Sequence, residues 1–226
     1  MGGSVTFNFE VIFVFSNSGV GGSCGRILVK DVEPSERQGI LDAHNDLRGK
    51  VARGEEPLLS GVTASDMMEL TWDEELARGA QLWADQCIWK HDSNDVCRFR
   101  VGQNLYQTGL FASDPQHVKV RPDWRKACQE WYDEVKLFTS DPTKPEWNYH
   151  GVGHFTQLIW SSTQYVGCGY IVFQGPGGLG GHETQYYVCN YGPAGNYQHR
   201  RIYKGGPTCG SCPSDTHCTK RGLCAR

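Results

Sequence analysis

Apolar residues recur at helical spacing in three stretches of the chain. In 34–51, "PSERQGILDAHNDLRGKV", Ile40, His44, Leu47 and Val51 fall on one face, and Ser35 with Gln38 after Pro34 predicts a capping box. In 71–87, Leu76, Ala80, Trp83 and Cys87 make the stripe, with Thr71 and Glu74 as the capping pair. In 122–138, Trp124, Cys128, Trp131, Val135 and Phe138 line up in the same way. The period then changes. "HFTQLIW" (154–160), "VGCGYIVF" (166–173) and "TQYYVCNY" (184–191) are rich in β-branched and aromatic residues and read as strands. The last two flank the glycine-rich "QGPGGLGGHE", which suits an antiparallel connection and makes Cys168 and Cys189 partners across facing strands. Helices first and strands later give an α+β class, with helices covering an antiparallel sheet.

The two ends differ from this body. Residues 1–34 read as a leader or tail. Their apolar run, Val11 to Phe15, is short for a secretory signal, Glu10 precedes it, and no Lys or Arg comes before it. A degenerate signal segment and an N-terminal tail are both open. Residues 35–205 form the main domain. Residues 206–226, with "CGSCPSDTHCTKRGLC", have no apolar stripe and must be held by disulfides as a small module. No other stretch is long and apolar enough to span a bilayer.

Composition narrows the function. The chain has 226 residues, 38% hydrophobic, with a net charge of −3 and a pI near 6.2. That balance argues against a nucleic-acid binder, which would carry a basic stripe. Ten cysteines, an even and high number, read as a disulfide framework in an oxidising compartment, so the chain is expected to be secreted. Cys209-x2-Cys212 with Cys218 and Cys224 also fits a zinc knuckle; the other six cysteines favour disulfides.

His150 and His154 stand four apart in "NYHGVGHFTQLIW". That spacing is used by zinc-binding helices. Gly151 and Gly153 argue against a helix here, so His150 reads as a loop residue and His154 as the start of a strand.

Four motifs then stand in a telling order: "AHNDLR" (43–48), "VGQNLY" (101–106), "GHFTQLIW" (153–160) and "YYVCNYGPAGNY" (186–197). Over about residues 35 to 205 the chain resembles the CAP superfamily of cysteine-rich secretory proteins, antigen 5 allergens and pathogenesis-related proteins. "HDSNDVCRFRVGQNLYQTG" is closest in style to the venom allergens, and the tail is similar to the cysteine-rich hinge. The resemblance implies a three-layer α-β-α sandwich and hinge bonds Cys209–Cys218 and Cys212–Cys224. Cys24, Cys87, Cys97 and Cys128 then remain as disulfide cysteines, with three connectivities open.

The resemblance also implies a central cleft lined by two histidines and two acidic residues. Carried over by motif, these fall on His91, Gln103, Glu134 and His154, with Gln103 in place of a glutamate. The residues can be weighed on their own. Glu134 lies at the edge of an aromatic stripe, where a carboxylate needs a partner and a histidine is the natural one. His91 alone reads as a surface histidine. His44, Asn45, Arg48, Asn190 and Tyr191 read as structural. Two imidazoles, a carboxylate and water suit zinc or another divalent cation, which Gln103 as a ligand would weaken; no cofactor is required. The resulting expectation is a secreted, non-enzymatic, monomeric protein that binds lipid or sterol, or an extracellular or membrane protein. A His/Glu-dependent or metal-dependent protease is the alternative, disfavoured because no oxyanion device is visible.

Overall fold

Gly167 and Gly169 alternate along the central strand β4 (Tyr165–Gln174) and let helix α2 (Glu74–Ala84) rest directly on it. A Cβ at Gly167 would lie 2.1 Å from the Ala77 nitrogen, and one at Gly169 2.4 Å from that of Gln81. Only glycine permits so close an approach. The structure is a computed structural model describing residues 20–226, apart from 94, 111–120, 149 and 181.

β4 pairs antiparallel with β5 (Glu183–Gly192), and β5 with β3 (Gly102–Leu110). On the other side β4 pairs antiparallel with β1 (Arg26–Lys30), and at its start it runs parallel to the short β2 (Thr71–Trp72). Alternating side chains divide two cores. In one, Ala80 and Ala84 of α2 pack on Leu105, Ile171, Phe173 and Val188 of the sheet. The opposite face carries α1 (Arg37–Ala52), α3 (Trp124–Tyr132) and α4 (Gly153–Leu158) over Ile40, Trp131, Phe155 and Tyr187. The three-layer sandwich is therefore present, with its antiparallel main sheet buried between helices.

Local chemistry moves several boundaries. The reciprocal cap before α1 is Glu33 with Glu36 on the turn Pro34–Glu36, not Ser35 with Gln38. Asp73, rather than Thr71, caps α2 by accepting from the Leu76 N–H at 2.9 Å, because Thr71 and Trp72 are extended beside β4. The third helical stripe breaks after Tyr132, and Asp133–Leu137 continue as a tighter 3-10 turn. "HFTQLIW" is helical, not a strand: α4 spans Gly153–Leu158. Its cap comes from Glu134, far away in sequence, whose Oε2 accepts from the N–H groups of His154 and Phe155 at 2.9 and 3.0 Å. A carboxylate on the first free amides of a helix offsets the glycine at its start.

Residues 1–19 of the expected leader lie outside the described residues. Within the rest of 1–34, Arg26–Lys30 form β1 and Cys24 is buried and bonded to Cys87. The other bonds are Cys168–Cys189, Cys209–Cys218 and Cys212–Cys224. Cys97 and Cys128 are free, which corrects the expectation that all ten cysteines are bonded. Cys97 is exposed in the connection before β3, whereas Cys128 is sealed in the core with its sulfur 3.5 Å from His44 Nδ1, so the two cannot meet. Cys209, Cys212 and Cys224 bring sulfurs within 4.8 Å of one another, but as members of two disulfides they offer no thiolate to zinc.

The tail, with β6 (His217–Cys218) and β7 (Cys224–Ala225), packs on the main body. Leu223 is fully buried in the main core, Cys224 N–H donates to the Met67 carbonyl at 2.8 Å, and Arg221 pairs with Asp42 and Asp46 of α1. Among the described residues no helix is long and apolar enough to cross a membrane.

Candidate functional site

β3 is paired only by β5 along the sheet order, so its start is an edge that both helix layers can reach. Two adjacent residues there face opposite ways, as strand geometry requires. Gln103 turns toward α2: its Nε2 donates to Asn190 Oδ1 at 3.0 Å, and Asn190 Nδ2 donates to the Leu76 carbonyl. Asn104 turns to the other face, where its Nδ2 donates to the His154 carbonyl at 3.0 Å and to the Tyr191 hydroxyl at 3.3 Å. The strand thus ties to His91 through one residue and to His154 through the next.

Gln103 Oε1 lies 3.1 Å from His91 Nδ1 and also accepts from the Asp92 N–H at 3.0 Å. An amide oxygen can only accept, so His91 carries its proton on Nδ1 and leaves the Nε2 lone pair outward. Glu134 Oε1 lies 2.7 Å from His154 Nδ1, while its Oε2 holds the start of α4. This carboxylate likewise accepts a hydrogen bond from the Nδ1–H of His154, which turns Nε2 away from it. A carboxylate or carbonyl behind a histidine fixes the tautomer that a metal ligand needs.

The four sequence candidates therefore form two hydrogen-bonded pairs, His91 with Gln103 and His154 with Glu134. Gln103 Oε1 and Glu134 Oε1 each face a histidine Nδ1, so both residues position the imidazoles. Among the described residues, the three ligand-type atoms lying within 4.8 Å of one another are those of Cys209, Cys212 and Cys224; His91, Glu134 and His154 do not form such a group. His150 lies before α4, so the two histidines four apart share no helix face.

Glycine matters at the mouth of this site. A Cβ at Gly102 would lie 2.0 Å from Gln157 Oε1, which accepts from the Gly195 N–H at 2.9 Å. Gly102 lets α4 close on the start of β3. Thr156 sits two residues beyond His154 along α4, about 200° round the helix axis. Its hydroxyl donates to the Val152 carbonyl and contacts Asn196.

The supporting frame is polar and buried. His44 bridges the Ile40 carbonyl and the Tyr191 hydroxyl at 2.8 and 2.9 Å; burial, helped by the Arg48 charge, lowers its pKa to about 4 against the Ile40 contact. Arg48, fully buried, donates to the carbonyls of Met68, Leu158, Trp160, Ser161 and Thr163. Asn45 exchanges two hydrogen bonds with Leu70. Asn104 was given no role in the sequence, although strand alternation beside Gln103 would have placed it on the His154 face. Asn190 is structural as read, but the structure it holds is Gln103.

The family model described as "CAP: Cysteine-rich secretory protein family" matches residues 41–191. A venom allergen 5 of Tityus serrulatus is 42% identical over 207 residues, covering 85% of this chain and 48% of that protein. The CRISP/Allergen/PR-1 protein of Trittame loki is 41% identical over 201 residues, covering 86% and 47%. The chain spans about half the length of these two relatives. A venom allergen 5 of Vespula maculifrons is 38% identical over 188 residues, covering 80% of this chain and 87% of that protein. Among solved structures, BmVAL-1 superposes with a TM-score of 0.72 at 26% identity, covering 86% of this chain and 96% of the other. NaASP2, solved with Zn2+, gives 0.67 at 29% identity, covering 85% and 96%. The motif order and the sandwich agree with these similarities: the chain belongs to the CAP, or cysteine-rich secretory, protein family.

Proposed function

We propose that this protein is secreted, has no catalytic step of its own, and acts by binding, with His91 and His154 as the ligands of a weak divalent-cation site. One observation carries the reading: both imidazoles are held by an acceptor on Nδ1, so both present Nε2. Neutral imidazole suits zinc, and NaASP2 is a neighbour solved with that ion. The fit is partial, because Gln103 and Glu134 hold the imidazoles; water would complete the shell and affinity would be low. Four disulfides and the venom-allergen relatives support secretion. The non-enzymatic part is supported by Thr156, whose hydroxyl engages the Val152 carbonyl and Asn196 Oδ1 instead of His154. The target of binding is a lipid or sterol, or an extracellular or membrane protein, engaged by a monomer.

Calorimetric zinc titration of the wild type, His91→Ala and His154→Ala tests the metal site. Binding should disappear in both variants; unchanged affinity in both rejects it. Incubation with a broad peptide library tests the rest: turnover abolished by Glu134→Gln would require the protease reading.

A further inference from the structure

Two adjoining cavities, of about 400 and 430 Å³, share Pro145 and His199 and make one groove away from the histidine pairs. Its floor is aromatic. Trp147 lies 6.1 Å from Trp160 and Trp160 lies 6.3 Å from Tyr197, centroid to centroid. The indole N–H of Trp147 donates to the Arg200 carbonyl at 2.7 Å, which fixes the ring beside the rim. Pro193 also lines the groove.

The rim carries two guanidiniums on one side and two carboxylates, Asp66 and Glu146, elsewhere. Arg200 and Arg201 are exposed and line the groove, and neither has a carboxylate partner among the described residues. Most arginines nearer the helices are paired, as Arg53, Arg98 and Arg221 are. Asp66 and Glu146 also line the groove; Asp66 is engaged by the Lys204 N–H at 2.9 Å. His199, between the two cavities, holds a positive φ of 59°, which a residue with a Cβ seldom adopts. Such strain on a cavity lip points to function more than to packing.

We infer that this groove binds an extended acidic peptide segment of a partner protein. Flat aromatic and proline surfaces receive an extended chain with little ordering cost. Two unpaired guanidiniums beside them take carboxylates through paired N–H donors, which lysine could not copy. The arrangement does not depend on the cation site, and His154 takes no part in it.

The test uses the whole chain against a displayed library of random peptides about a dozen residues long. Recovered peptides should be enriched in Asp and Glu. A synthetic copy should bind the Arg200→Ala/Arg201→Ala variant about ten-fold more weakly, a loss of about 1.4 kcal/mol. Replacing its carboxylates by amides should weaken it similarly, while Arg125→Ala, an exposed arginine on α3 outside the groove, should bind it as the wild type does. Both arginines are exposed, so the variant is expected to fold, and circular dichroism checks this. The proposal is overturned if no acidic enrichment appears, if the double variant binds equally well, or if anionic lipid vesicles outcompete the peptide at the groove.

Discussion

Gln103 Oε1 sits 3.1 Å from His91 Nδ1, and that contact alone decides which nitrogen of His91 faces outward. Gln103→Leu should free the ring to flip its tautomer and weaken zinc binding by about 10- to 100-fold, the range for lost supporting contacts. Gln103→Glu keeps the acceptor, adds charge and should strengthen binding. Titration calorimetry of the pair decides; equal affinity in both would remove Gln103 from the site.

His44 supplies a pH dependence of stability. Its folded pKa, about 4, lies below its unfolded value near 6.5 because burial disfavours the charged ring. Above about pH 6.5 both states are neutral and the full stability is present. As pH falls from there toward 4 the unfolded state takes up the proton first, and about 3 kcal/mol is lost. Urea midpoints from pH 7 to pH 4 should fall more in the wild type than in His44→Gln.

Arg48 should be among the costliest positions to change. Arg48→Met leaves buried carbonyls of Met68, Leu158 and Trp160 without their donor. A loss of about 3–5 kcal/mol is expected in chemical denaturation. Arg48→Lys should recover little of it, since a single ammonium cannot reach the same spread of oxygens.

Leu223 and Arg221 separate two ways of docking the tail. The ion pairs of Arg221 are half-exposed and should be worth about 1 kcal/mol or less together. Leu223→Ala removes a fully buried side chain and should cost about 2–5 kcal/mol. Thermal unfolding of the two single variants ranks them; the opposite order would make the docking electrostatic.

Thiol labelling should find Cys97 in the folded protein and Cys128 only after unfolding. Cys97 is exposed, whereas burial pushes the Cys128 thiol far above its usual range. One reactive group in native buffer and two in guanidinium is the expected count.

Helix α2, strands β4 and β5, and the motifs at 101–106 and 186–197 were legible in the sequence because local periodicity and their setting agree. "HFTQLIW" misled because its helix is capped by Glu134, a partner that no window around residue 154 contains. The break after Tyr132 was equally hidden: the apolar stripe runs on through Phe138 while the backbone tightens to bring Glu134 onto α4. The four cleft candidates were found by motif, but their pairing needed the third dimension. Gln103 looked like a ligand because its two donors, Asp92 N–H and His91 Nδ1, come from a loop eleven and twelve residues before it.

The reach of Arg48 across Met68, Leu158 and Thr163 bears on affinity as well as on stability. It welds the C-terminal end of α4 to α1, so the helix that carries His154 cannot drift independently of the body. At the proposed cation site, a metal ion meeting His154 would find its imidazole already held by Glu134, with little conformational freedom left to surrender on binding. Even a site with few donors can then be selective in geometry, because its rigidity was settled when the chain folded.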